Sequence, residues 1–212
     1  MEVSILPFNE YSLTISIHSC VHPEKVLSTA QNLAASIEKG RIDGVIDVWN
    51  TYDAVGVSYD PFQYEFENLS QQLLLHYKYL DLASEKSIRE RVFKVDYSQD
   101  SADMQYLCQE LKLTPDEVIA IHCAPTYTVA MIGFLPGFPY LIGLDMRLHI
   151  PRKKVPGQIK SGTVAIGGAQ CGIYPNDSPG GWYGLGHCEV AFFGTDDEAL
   201  LKPGDKVKFI SR

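Results

Sequence analysis

Between residues 133 and 186 the chain places twelve of its 17 glycines, interleaved with prolines and aromatics. Glycine admits positive φ and close backbone approach, while proline fixes φ and removes a donor, so no long helix survives such a stretch. What remains is short strands joined by tight turns. Two strings dominate: Gly133-Phe134-Leu135-Pro136-Gly137-Phe138-Pro139-Tyr140, and Ile173-Tyr174-Pro175-Asn176-Asp177-Ser178-Pro179-Gly180-Gly181-Trp182. Loops of this make, held by a rigid scaffold, are where binding usually sits. Their aromatic faces lie beside unpaired backbone groups, which makes Phe134, Pro136, Gly137, Phe138, Tyr140, Tyr174, Ser178, Gly180, Gly181 and Trp182 candidate contact residues.

The rest of the chain reads as two domains. Residues 11–17 alternate apolar and polar with β-branched enrichment, which predicts a strand. Val26, Ala30, Leu33 and Ile37 recur at helical spacing over residues 23–39, with Gly40 as a stop. Residues 45–49 and 54–59 read as a hairpin across Asn50-Thr51-Tyr52-Asp53. After Asp60-Pro61, the residues Phe62, Phe66, Leu69, Leu73, Tyr77 and Leu80 form the stripe of a second helix, and residues 91–95 a last strand. The order β-α-β-β-α-β is the ferredoxin-like arrangement, so an α+β domain is expected over residues 1–95.

Over residues 96–212 a second domain is expected. It opens with a helix at 102–111 and another at 115–122, the latter announced by the capping box Thr114-Pro115-Asp116-Glu117. Short β-rich runs follow at 127–132, 163–166, 189–193 and 206–210, with a turn at Pro203-Gly204-Asp205 before the last. Many short strands with such turns predict a barrel or sandwich.

Composition removes several function classes. Eighteen basic against 26 acidic side chains give a net charge of −8, unsuited to a nucleic-acid backbone. The first residues carry no leader pattern and no segment is apolar enough to span a membrane, so a cytoplasmic protein without a membrane partner is expected. Five cysteines with no C-x-x-C pair predict reduced thiols, and six histidines with no ligand spacing predict no metal site.

Neither a Walker-type nor a dinucleotide glycine motif occurs, and Gly167-Gly168-Ala169-Gln170-Cys171-Gly172 reads as a turn between strands. Ser178 with His187 and Asp145 lacks a nucleophile elbow, and Asn176-Asp177-Ser178-Pro179 is turn chemistry. Cys171 has no neighbour in sequence that would depress its pKa and reads as a buried thiol. The cluster Arg152-Lys153-Lys154, with Lys160 nearby, is the concentrated positive charge that could hold a carboxylate or phosphate.

The string from Gly133 to Leu141, with Gly143-Leu144-Asp145 and Pro151-Arg152 after it, resembles the signature of the KipI / allophanate hydrolase subunit 1 family. So does Gly162, Val164-Ala165-Ile166, Gly168, Gln170, Gly172-Ile173-Tyr174-Pro175 and Ser178-Pro179-Gly180-Gly181-Trp182. The resemblance implies a ferredoxin-like N-terminal domain followed by a cyclophilin-like β-barrel, with the two loops at the barrel mouth. It also implies the B-type subunit of an ATP-dependent 5-oxoprolinase, acting with homologues of that enzyme's C-type and A-type subunits, with ATP held here or at a partner.

The family's namesake inhibits a sensor histidine kinase, so a protein-docking surface is the alternative. On the enzyme reading Arg152 holds anionic oxygens together with Lys153, Gln170 and Tyr174 orient polar atoms, and Phe134, Phe138 and Trp182 wall the site. On the plainest reading these aromatics only cap the barrel core. Departures from the family pattern fall at Asp96-Tyr97-Ser98-Gln99, Gly157 to Gly162 and His187-Cys188, leaving Lys160 and His187 as stand-ins for two missing arginines.

Overall fold

The computed structural model describes residues 1–19, 23–80, 88–189 and 200–212. It divides into two compact units, Met1–Ser87 and Ile88–Arg212. The first unit runs β1 (Glu2–Asn9), β2 (Ser12–His18), α1 (Pro23–Gly40), β3 (Val45–Asn50), β4 (Ala54–Tyr59) and α2 (Phe66–Lys78). Its sheet has the order β1-β2-β4-β3 with every neighbour antiparallel.

This differs from the expected ferredoxin-like order at both ends. Strand β1 was not anticipated, and it takes the edge beside β2, pairing Val3 with Ile17 and Ile5 with Ile15. Both side chains pack on the helix-covered core of Leu13, Ile15, Ile17, Leu33, Val55 and Leu69. The hairpin is local and cheap to close, because the Asn9 carboxamide accepts from Tyr11 N at 3.0 Å and Ser12 Oγ at 2.8 Å. The strand expected to finish this domain instead belongs to the second unit.

Two smaller differences have steric causes. Helix α1 ends with Arg41 at φ 45°, not with Gly40 in the left-handed position. A Cβ on Gly40 would lie 2.7 Å from His76 Cε1, so the glycine there serves helix packing. Phe62 is 98% exposed and lies outside the α2 stripe, because the Asp60 carboxylate accepts from Phe62 N at 2.9 Å and holds the segment in a turn.

The second unit contains β5 (Glu90–Tyr97), α3 (Ala102–Leu111), α4 (Pro115–Cys123), β6 (Tyr127–Ile132), β7 (Pro139–Ile142) and β8 (Gly157–Ile159). It continues with β9 (Thr163–Gly167), β10 (Gln170–Ile173), β11 (Ser178–Gly180), β12 (Tyr183–His187) and β13 (Lys206–Ser211). Seven strands close a barrel in the order β10-β7-β6-β13-β5-β12-β9, and β8 pairs with β11 outside it. Strand β5 finds its partner there as a parallel neighbour of β13, with Phe93 opposite Phe209. Both phenylalanines are buried in the barrel core, which explains why this segment closes the barrel.

The α+β class and the closed barrel agree with expectation, and so do the two helices before it. Ser101 caps α3 by accepting from Met104 N at 3.1 Å, and Thr114 and Glu117 form the reciprocal capping box of α4. The strand expected at 189–193 lies, beyond Glu189, outside the described residues.

Candidate functional site: an aromatic trough on the barrel wall

Strand alternation decides where the two glycine-rich loops go. Leu141, Cys171, Ile173, Val164 and Ile166 face the barrel core, so their neighbours Tyr140, Gly172 and Ala165 face outward from β7, β10 and β9. On that outer wall a separate cluster forms from Phe138, Ile159, Ala165, Tyr174 and Trp182, with Leu135 and Tyr140 packed against it. The loops therefore make a second layer outside the barrel and neither line its mouth nor cap its core.

Phe138, 1% exposed, is the hub. Its ring meets Tyr140 and Tyr174 at 5.0 Å, Trp182 at 5.5 Å and Phe134 at 5.6 Å, all edge to face. Such pairs contribute about 0.5–1.5 kcal/mol each beyond simple burial. The wall must be thin beneath them. A Cβ on Gly172 would lie 2.7 Å from Phe138 Cζ and 3.0 Å from Trp182 Cζ3, while one on Gly180 would collide with the Tyr174 hydroxyl and sit 2.6 Å from Ile159 Cδ1.

The turn between β6 and β7 holds Phe134 in place. Gly133 N donates to Phe138 O at 3.1 Å and Phe138 N to Leu135 O at 3.0 Å. Phe134 itself adopts φ 68° while its ring stays 59% exposed. Left-handed backbone on a bulky residue costs roughly 1–2 kcal/mol, and strain of this kind gathers at functional sites.

The trough has a volume of about 210 Å³ and is lined by Phe134, Phe138, Tyr140, Arg152, Pro156, Tyr174, Pro179, Gly180, Gly181 and Trp182. At ~30 Å³ per water that is space for roughly seven waters, the size of a small heterocycle. Arg152 is its one charged lining residue among the described residues, the guanidinium standing 5.8 Å from the Trp182 ring centroid. Burial raises the Tyr174 phenol to about 12 and raises Tyr140 as well, with the Arg152 charge opposing both. At neutral pH both phenols are uncharged hydrogen-bond donors.

Two of the other expected cations, Lys153 and Lys160, are committed elsewhere. Lys153 Nζ lies 2.7 Å from the Asp103 carboxylate and Lys160 Nζ 2.6 Å from Asp177. His187 lines a different cavity of about 270 Å³ with Ser98, Ser101, Asp103 and Thr163. Neither stand-in reaches the trough. Arg152, by contrast, has no ion-pair partner among the described residues.

Of the twelve residues expected at the site, eight line the trough: Phe134, Phe138, Tyr140, Arg152, Tyr174, Gly180, Gly181 and Trp182. Pro136 and Gly137, the latter at φ 81°, shape the turn behind Phe134. Gln170 opens β10 beside the Gly167-Gly168 hairpin, and Ser178 is buried with its hydroxyl donating to Pro179 O at 3.3 Å. Pro156 and Pro179 were missed. Their signal was present, since each is a proline in or beside an already suspect loop.

The imagined triad does not assemble. Asp145 binds Arg147, which holds its carboxyl down at about 2, while Ser178 and His187 have the separate settings just described. Cys171 is enclosed in the barrel, its Sγ 3.2 Å from His122 Nε2, and burial pushes its thiol well up. His122 is fully buried too, with Tyr97 Oη 2.8 Å from Nδ1, and burial drops its pKa to about 3. Both groups are neutral and walled off from the trough. Among the described residues no cluster of His, Cys, Asp or Glu could hold a metal, and no helix is long and apolar enough to cross a membrane.

A family model described as carboxyltransferase domain, subdomain C and D, matches residues 3–201. The chain is 31% identical over 202 residues to the 5-oxoprolinase B-type subunit from Bacillus subtilis, covering 88% of this chain and 84% of the relative. It belongs to the KipI / 5-oxoprolinase B-type family. A second relative of that name, from Haemophilus influenzae, is 45% identical over 122 residues, 56% of each chain. The crystal structure of TTHA0988 superposes with a TM-score of 0.81 at 32% identity, over 95% of this chain and 40% of that one. The match thus spans about half of the Haemophilus relative and less than half of TTHA0988.

Proposed function

We propose that the chain is the B-type subunit of an ATP-dependent 5-oxoprolinase and that the trough holds 5-oxoproline, a five-membered lactam carrying a carboxylate. The observation that carries this reading is Arg152: a guanidinium over Trp182 with no ion-pair partner among the described residues, in an aromatic pocket of heterocycle size, while Lys153 and Lys160 are paired elsewhere. The names of the two relatives support it.

In this reading Arg152 takes the ligand carboxylate through charge-assisted hydrogen bonds, strong in a partly dry site. Tyr140 and Tyr174 donate to the remaining oxygens, Phe138 and Trp182 pack against the ring, and Pro156 and Pro179 limit water. Among the described residues the trough lining contains no thiol, imidazole or carboxylate to act as nucleophile or general base. Water activation therefore falls to a partner, a homologue of the C-type subunit together with one of the A-type, in a cytoplasmic complex. Gly167-Gly168 is engaged in a hairpin, so ATP is assigned to a partner as well.

The test is 5-oxoproline-dependent ATP hydrolysis by the assembled complex. Arg152→Met should raise KM for 5-oxoproline roughly 10- to 100-fold, the equivalent of losing a charged hydrogen bond of about 1.5–3 kcal/mol. An inactive but correctly assembled parent complex rejects the enzyme reading, and an unchanged KM in Arg152→Met rejects the trough as the site.

A further inference from the structure

Arg152 and Lys153 are adjacent in a strap, the irregular segment 151–156 before β8, and their side chains go to different partners. Arg152 reaches over Trp182, while Lys153 is bound at three points. Its backbone N donates to Gly181 O at 2.7 Å, its Nζ lies 2.7 Å from Asp103, and the same Nζ stands 5.2 Å from the Tyr183 ring centroid. Asp103 is anchored in turn, because its Oδ2 accepts from Gly184 N at 2.8 Å. Tyr183 stacks on Tyr106 of α3 with centroids 5.1 Å apart and planes 5° from parallel.

This pair is better sheltered than the ordinary surface bridges of the unit. The side chains of Lys153 and Asp103 are 22% and 29% exposed, against 79% and 55% for Lys160 and Asp177. It joins α3, β12 and the strap, three segments far apart in sequence. Among the described residues Arg152 has no ion pair, and its guanidinium stands over the face of Trp182.

We propose that Asp103 and Lys153 form a strut that fixes Arg152 over Trp182 and thereby sets the trough's affinity for its anionic ligand. The inference rests on reading the trough as the 5-oxoproline site. Asp103 and Lys153 are positioning residues and touch no ligand. When the strut is cut, the strap samples positions in which Arg152 is away from the trough, and apparent affinity falls in proportion to the time spent there.

The test uses the full chain carrying Trp49→Phe, so that Trp182 is the single tryptophan. Arg152→Met defines the emission change that accompanies loss of the guanidinium. Asp103→Asn, which retains an acceptor for Gly184 N, and Lys153→Met, which retains the apolar stem, should both shift Trp182 emission in that same direction. Both should weaken 5-oxoproline binding about three- to tenfold. In the assembled complex KM should rise with kcat unchanged, and Lys153→Arg should restore emission and KM together.

In the Arg152→Met background Asp103→Asn should add nothing to the binding loss, since the strut acts only through Arg152. A parental Trp182 emission in both Asp103→Asn and Lys153→Met overturns the strut, as does an additive binding loss in the double variant. If Arg152→Met binds 5-oxoproline as tightly as the parent, the trough reading fails. The strut is then judged on emission alone, retained if it shifts and rejected if it does not.

Discussion

Acidification from pH 7 to about 4.5 should destabilise the barrel unit by about 2–3 kcal/mol through one side chain, His122. Its imidazole is fully buried between the Tyr97 hydroxyl and the Cys171 thiol, and desolvation lowers its pKa from 6.5 to about 3. In the unfolded chain His122 gains a proton below pH 6.5, while in the folded barrel it stays neutral down to about pH 3. The unfolded state therefore binds more protons in that window. Stability is full above pH 6.5 and falls by about 1.4 kcal/mol per pH unit below it, so two units give about 2–3 kcal/mol.

The carboxyls held below their usual range, Asp145, Asp177 and Glu117, lose their contributions chiefly below pH 4.5 and leave this window to His122. Urea unfolding followed by Trp182 emission in the Trp49→Phe chain, at both pH values, measures the difference. His122→Gln should start about 1–3 kcal/mol less stable at pH 7, because Tyr97 and Cys171 lose hydrogen-bond geometry, yet lack the acid-dependent slope. Equal acid losses in the parent and His122→Gln would show that the imidazole is not the group responsible.

Two further outcomes follow from the trough. Gly180→Ala drives a methyl into the Tyr174 hydroxyl and Ile159, so urea unfolding should show a loss of about 1–3 kcal/mol, and a wild-type midpoint would mean the loop yields freely. Lys160→Met, which removes an exposed pair with Asp177, should leave KM for 5-oxoproline unchanged in the complex, and a rise there would restore Lys160 as an anion ligand.

Local signals in the sequence were dependable where one physical term dominated. The capping box at Thr114 placed α4, and the stripe of Val26, Ala30, Leu33 and Ile37 placed α1, because each is settled by neighbours within a few residues. Strand β1 escaped because Glu2–Asn9 contains Pro7 and ends in exposed residues, a weak alternation that depends on β2 to give it an inward face. Strand β5 was seen and assigned to the wrong sheet. Its apolar alternation specifies a strand, but only the parallel register with β13 specifies which strand it pairs with.

The two glycine-rich strings by themselves determined that short strands and tight turns fill residues 133–186, and they named seven of the residues that line the trough. Steric rules acting over a few residues suffice for that. The tertiary structure decided that the trough lies on the outer wall of the barrel, that Arg152 alone among the basic candidates reaches it, and that Lys153 is tied to Asp103 fifty residues away. Those outcomes depend on strand facing and on pairing between distant charges, and neither is encoded in the neighbourhood of any one residue.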